Sequence, residues 1–173
     1  MKWIAWWPVL IVLVIAVFTD LRSRRIPNWL VLPFMLAGPI VFTVYSGQKG
    51  LWQSLEGLAA GGFAMGIFAL MGGMGMGDVK LCAALGAWLG PAQLLTALVL
   101  TGIVGGIMAL FWALFAGFLG ELFFGTVDLI RGIGKRGLRS HPVLSLSNPK
   151  TRKMPYAPAI AIGTLLSFLS LPH

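Results

Sequence analysis

Long apolar stretches separated by short polar breaks organise this chain. A membrane-spanning helix needs ~20 mostly apolar residues, and six stretches use up the length: residues 3–19, 28–45, 55–71, 79–90, 92–124 and 155–171. Asn28 reads as an N-cap after Pro27. Pro33 and Pro39 are expected to kink the second stretch, which neighbouring helices tolerate. The fourth stretch rises only ~18 Å, so it either spans incompletely or continues past Pro91 as a bent element. The fifth is long enough to cross with tilt or to leave the membrane as a helix. The first, with Lys2 ahead of it and Val14-Ile15-Ala16 inside it, has some features of a signal peptide. Its length and the embedded remainder favour a retained span. The expected fold is an all-α polytopic bundle, one domain over residues 1–173.

Composition agrees. The chain is 58% hydrophobic and only 10% charged, with a mean hydropathy of +0.89; a soluble domain would carry about 25% charged residues. Net charge is +8, which in a soluble protein would suggest nucleic acid. Here the basic residues sort by side instead. Arg22, Arg24, Arg25, Lys80, Arg131, Lys135, Arg136, Arg139, Lys150, Arg152 and Lys153 fall on one side, and Lys2 and Lys49 on the other. Positive loops stay cytoplasmic, so the N-terminus is expected outside and no nucleic acid is expected as a partner. Trp3, Trp6, Trp7, Trp52 and Trp88 then lie near the outer interface and Trp29 near the inner one, with Trp112 the exception in mid-span.

The segment 125–154 is the one sizeable polar stretch, and its basic residues suit topology and anionic lipid headgroups. Gly62 and Gly66, Gly86 and Gly90, and Gly102 and Gly106 recur at four-residue spacing, the pattern of close helix packing. One cysteine, Cys82, excludes an internal disulfide or a CxxC zinc site and reads as a small packing residue. Met71, Met74 and Met76 read as packing residues rather than ligands. His141 and His173 have no partner pattern, so neither metal nor organic cofactor is expected.

Five acids occur in the whole chain. Asp20 ends the first apolar run, and Asp78 follows the glycine-rich turn Gly75-Met76-Gly77. Charge counting puts both on the cytoplasmic side. Carboxylates beside hydrocarbon are costly and usually functional. Brought together, two of them share a proton; the ionised member activates water and the protonated one polarises a carbonyl. Gly75 and Gly77 permit close approach and conformations closed to other residues, while Arg22 and Lys80 lie near in sequence. A plain N-cap would equally explain Asp78, and pairing with Arg22 or Arg24 would explain Asp20, so the residues alone leave both readings open. Glu56 and Asp128 lie near span ends and read as solvated, and Glu121 as a residue that faces a bundle interior.

Three segments resemble motifs of the type IV prepilin peptidases: Thr19-Asp20-Leu21-Arg22-Ser23-Arg24-Arg25-Ile26-Pro27-Asn28, then Gly75-Met76-Gly77-Asp78-Val79-Lys80, then Met154-Pro155-Tyr156-Ala157-Pro158-Ala159. The resemblance implies a GxGD aspartic protease of the inner membrane, cutting the basic leader from prepilins on the cytoplasmic side. By this resemblance Asp20 and Asp78 are the catalytic pair, Gly75 and Gly77 shape the turn, and Lys80 belongs to the motif. The implied substrate joins a basic leader to an apolar helix. Larger bifunctional members carry an extra region with paired CxxC motifs and also methylate the pilin. With Asp20 in the first span and Cys82 alone, methyl transfer is not expected, and the chain looks more like the peptidase-only enzymes of tight-adherence pili or the archaeal preflagellin peptidases. Three rivals remain: a presenilin-like protease, which would pair a YD motif where Thr19 stands here; a small transporter using Asp20 and Asp78 as ion ligands; and a non-catalytic pilus assembly partner.

Overall fold

A computed structural model describes residues 2–71, 74–116 and 155–170. Four helices account for nearly all of them: α1, Lys2–Ser23; α2, Asn28–Leu70; α3, Met76–Ala116; and α4, Ala157–Ser170. No strand occurs among the described residues. Glu121, Asp128, His141, His173 and the 125–154 segment lie outside them.

Glycine decides where the two long helices turn. In α2 the break is at Gly47, with φ 60° and ψ −145°, a region that only glycine enters without strain. Phe42 and Gly50 would stand ~12 Å apart along a continuous helix, yet a side chain on Gly50 would strike the Phe42 carbonyl. The helix therefore doubles back. Pro33 and Pro39 leave the helix unbroken: the only non-helical dihedrals inside α2 are those of Gly47. In α3 the break is at Gly90, with φ 73° and ψ 170°. Pro91 disfavours the helical region for the residue before it, and glycine takes the alternative. Of the two alternatives left open by the sequence, the bent continuation past Pro91 is the one seen.

These reversals divide the helices into six segments. The polar gap expected at 46–54 shrinks almost to Gly47 itself, because residues that read as loop are helical. Three of the helices carry windows long and apolar enough to cross a membrane. Large apolar side chains such as Ile11, Val14 and Phe18 on α1 and Leu36, Ile40 and Val44 on α2 are exposed, as lipid-facing residues would be.

The first segment of α3 is the centre of the bundle: every residue from 81 to 88 is buried. A helix buried all round must present small residues to its neighbours, and Cys82, Ala83, Ala84, Gly86 and Ala87 do so. Cys82 is a packing residue, as expected, with its backbone against Gly61. Gly57 and Gly86 bring two backbones into contact, and Gly38 sits against Ala87. The expected glycine pairs hold only in part. Gly86 packs closely and Gly62 makes an ordinary contact with Ala83, whereas no described residue would meet a Cβ on Gly66, Gly102 or Gly106 within 4 Å. Four-residue spacing marks a helix face without saying whether a neighbour covers it.

Two buried polar groups secure this centre. Pro91 has no N–H to give the Ala87 carbonyl four residues before it; the buried Ser54 hydroxyl donates to that carbonyl instead, at 2.6 Å. Trp88, expected near the outer interface, faces protein rather than lipid. It is 5% exposed, stacks on Phe34 at 5.0 Å between centroids, and donates its indole N–H to the Phe34 carbonyl at 2.8 Å. Trp7, Trp29 and Trp52 are exposed as an interface requires.

Candidate active site

The site forms where the C-terminal end of α1 meets the N-terminal ends of α2, α3 and α4. Asp20 lies in the last turn of α1, which runs on to Ser23. It is 5% exposed, and the Ala157 N–H donates to its Oδ2 at 3.0 Å. Ala157 is the first residue of α4. Its N–H is one of those a helix leaves without an internal partner, at the end where the helix dipole favours negative charge. A buried carboxylate is thus met by a backbone donor rather than by the arginines nearby. Arg22 and Arg24 are exposed, and among the described residues neither forms an ion pair with Asp20.

Asp78 does not precede its helix. The helix begins at Met76, so Gly75 takes the cap position and Asp78 is the third helical residue. The Gly75 carbonyl accepts from the Asp78 N–H at 3.1 Å, and the Gly75 N–H donates back to the Asp78 carboxylate. This is half of a capping box. It leaves the rest of the half-buried carboxylate free, and the Asp20 charge lies within electrostatic reach of it. The two acids singled out in the sequence thus stand at the same end of the bundle, within electrostatic reach of each other.

Neither glycine of the turn is there for unusual dihedrals, and Gly77 is the one that makes room. Among the described glycines only Gly47 and Gly90 have positive φ, which corrects the expectation for Gly75 and Gly77. A Cβ on Gly77 would stand 3.3 Å from that of Ile26, and one on Gly75 would stand 3.4 Å from Asp78 Oδ2. The loop after α1 thus lies directly on the first turn of α3. Met76, expected to pack, is 63% exposed, while Met74 packs against the core. Glu56 is exposed, as expected.

Asn28 is not the cap of α2. That position belongs to Pro27, which has no side-chain cap bond, and the Asn28 Oδ1 instead accepts from Lys80 Nζ at 3.1 Å. Lys80 is accordingly turned to Asn28 rather than to a carboxylate.

Two contributors were noted in the sequence without a role. One is the Ala157 backbone. The other is Tyr156, whose ring packs against Gly105 and whose phenol lies within electrostatic reach of Cys82 and Asp78. The signal was present in Pro155-Tyr156-Ala157-Pro158, because prolines flanking a span start mark a fixed helix entry. An N–H donor, however, has no sequence signature.

The chain's similarities bear on this arrangement. The sequence profile of the Type IV leader peptidase family matches residues 7–110, which include Asp20, Gly75, Gly77, Asp78 and Lys80. A prepilin leader peptidase/N-methyltransferase of Aeromonas hydrophila is 31% identical over 165 residues, covering 91% of this chain and 46% of that protein. A protein of the same description from Bacillus subtilis (strain 168) is 28% identical over 163 residues, covering 91% of this chain and 52% of its own length. The chain spans about half the length of these curated relatives. No solved structure matches it.

Proposed function

The chain belongs to the type IV leader peptidase family, and we propose on that footing that it is a membrane aspartic endopeptidase with Asp20 and Asp78 as its catalytic pair. The substrate is a prepilin-like precursor with a basic leader and an apolar helix, cut at the cytoplasmic face of the inner membrane. The observation that carries this reading is the meeting of two carboxyl groups at one end of an apolar bundle. One is buried under the Ala157 N–H, and the other is held by the Gly75 N–H within reach of the first one's charge.

The mechanism needs one proton shared between the two carboxyls of the pair. The ionised member takes a proton from water as the water oxygen attacks the scissile carbonyl carbon. The protonated member donates to the carbonyl oxygen and, as the tetrahedral intermediate collapses, a carboxyl proton passes to the leaving nitrogen. The backbone donors keep both groups oriented through this exchange. In this topology the N-terminus is outside and both aspartates face the cytoplasm, supported by the sorting of basic residues. The substrate's apolar helix lies in the membrane along the bundle, and membrane lipids complete the surroundings.

Asp20→Asn and Asp78→Asn each abolish leader cleavage in a reconstituted assay with a purified prepilin precursor, while both variants keep the helical content of the parent. Full cleavage by either would overturn the pair.

A further inference from the structure

Lys80 stands two residues after Asp78, and on a helix residues two apart do not face one another. Gly77 and Lys80, three apart, do share a face. The segment from Ile26 to Asn28 lies on that face. Ile26 is buried against Gly77, Pro27 is extended at φ −73° and ψ 138°, and Asn28 accepts from Lys80 Nζ at 3.1 Å. The other end of this strap is tied to Asp20. The Arg24 N–H donates to the Asp20 carbonyl at 2.8 Å, and Arg24 holds φ at +50°, a conformation that costs a non-glycine residue free energy and persists only where its surroundings require it. Residues 20–28 therefore run from one catalytic aspartate to the helix turn that carries the other. Their far end is fastened there by an apolar seat and a single bond between side chains.

We propose that Asn28 is a positioning residue. Through its bond to Lys80 it locks the 24–28 strap onto the first turn of α3 and holds the end of α1, with Asp20, in register with Asp78. Lys80 serves the site through this bond and not as a partner of either carboxylate. The inference rests on the peptidase reading and adds to it a device that sets the geometry of the pair. The Ile26 seat limits sliding by volume, and the bond supplies the directional restraint that packing lacks.

The test is a double-mutant cycle on purified enzyme cleaving a prepilin precursor with a basic leader. Asn28→Ala and Lys80→Met each lower kcat about 3- to 10-fold, the range expected for one hydrogen bond to a charged group on a partly solvated face. KM changes by less than about two-fold. The double variant falls no further than the worse single, because both changes remove the same bond. Asn28→Asp, which keeps an acceptor oxygen within reach of Lys80, recovers kcat relative to Asn28→Ala. Additive losses, a change confined to KM, or a loss of thermal stability with kcat intact would each overturn the proposal. Parent enzyme that cleaves no precursor would instead overturn the peptidase reading, so the two failures are distinct.

Discussion

Gly57 and Gly66 lie on the same segment of α2, and alanine at the two positions has opposite consequences. A Cβ on Gly57 would stand 2.8 Å from the Gly86 carbonyl carbon and 2.9 Å from Gly90 Cα. Both are backbone atoms of the buried segment of α3, and neither can rotate aside. The helices must separate by a few tenths of an ångström or more, and overpacking of this kind costs about 1–3 kcal/mol. A Cβ on Gly66 meets none of the described residues within 4 Å; there the helical preference of alanine over glycine gains up to about 1 kcal/mol. The helical term applies at both positions and cancels, so the two variants should differ by roughly 1–3 kcal/mol. Unfolding in mixed micelles with increasing dodecyl sulfate, followed by tryptophan fluorescence, measures the difference. Gly57→Ala should also slow cleavage, because the displaced segment carries Asp78, whereas Gly66→Ala should not. Equal stabilities, or a Gly57→Ala protein as stable as the parent, would refute the packing argument.

Ser54→Ala removes the donor to the Ala87 carbonyl that Pro91 leaves unpartnered. It should cost about 1–2 kcal/mol in the same assay, while Thr96→Ala, whose exposed hydroxyl only bonds back to Ala92, stays within about 0.5 kcal/mol of the parent. Gly77→Val should lower kcat far more than Gly75→Ala. Bulk at 77 drives against Ile26, while a Cβ at 75 makes ordinary contact with a movable carboxylate oxygen; equal losses in steady-state cleavage would contradict this.

Much of the site could be read from the sequence because scarcity made it visible. With five acids in the chain, Asp20 and Asp78 stood out, and their flanking residues gave them a family. Helix class followed from apolar length alone. What escaped was set by tertiary contact. Asn28 after Pro27 looks like a helix cap, and only the approach of α3 reveals that its side chain turns to Lys80. Trp88 carries no sequence sign of the partner that Phe34 provides by stacking on it and accepting its N–H. Gly66, Gly102 and Gly106 share their spacing with glycines that do pack, because periodicity reports which residues share a face and not what lies opposite. The turn at Gly47 was legible as polar residues. Its compression to one residue was not, since Ser46 and Gln48 remain helical on either side.

The burial of residues 81–88 on every side has a bearing on how the protein meets lipids of different thickness. The segment 76–89 rises only ~20 Å, well short of the ~30 Å hydrocarbon layer. A lipid-facing helix that short would drag the bilayer inward around it or tilt with each change of membrane composition. This one touches protein instead. Its depth is fixed by the neighbouring segments through Gly57, Gly61 and Gly38, and hydrophobic mismatch acts on it only at second hand. Asp78, at its tip, is thereby given a level in the membrane that the protein sets and the lipid does not.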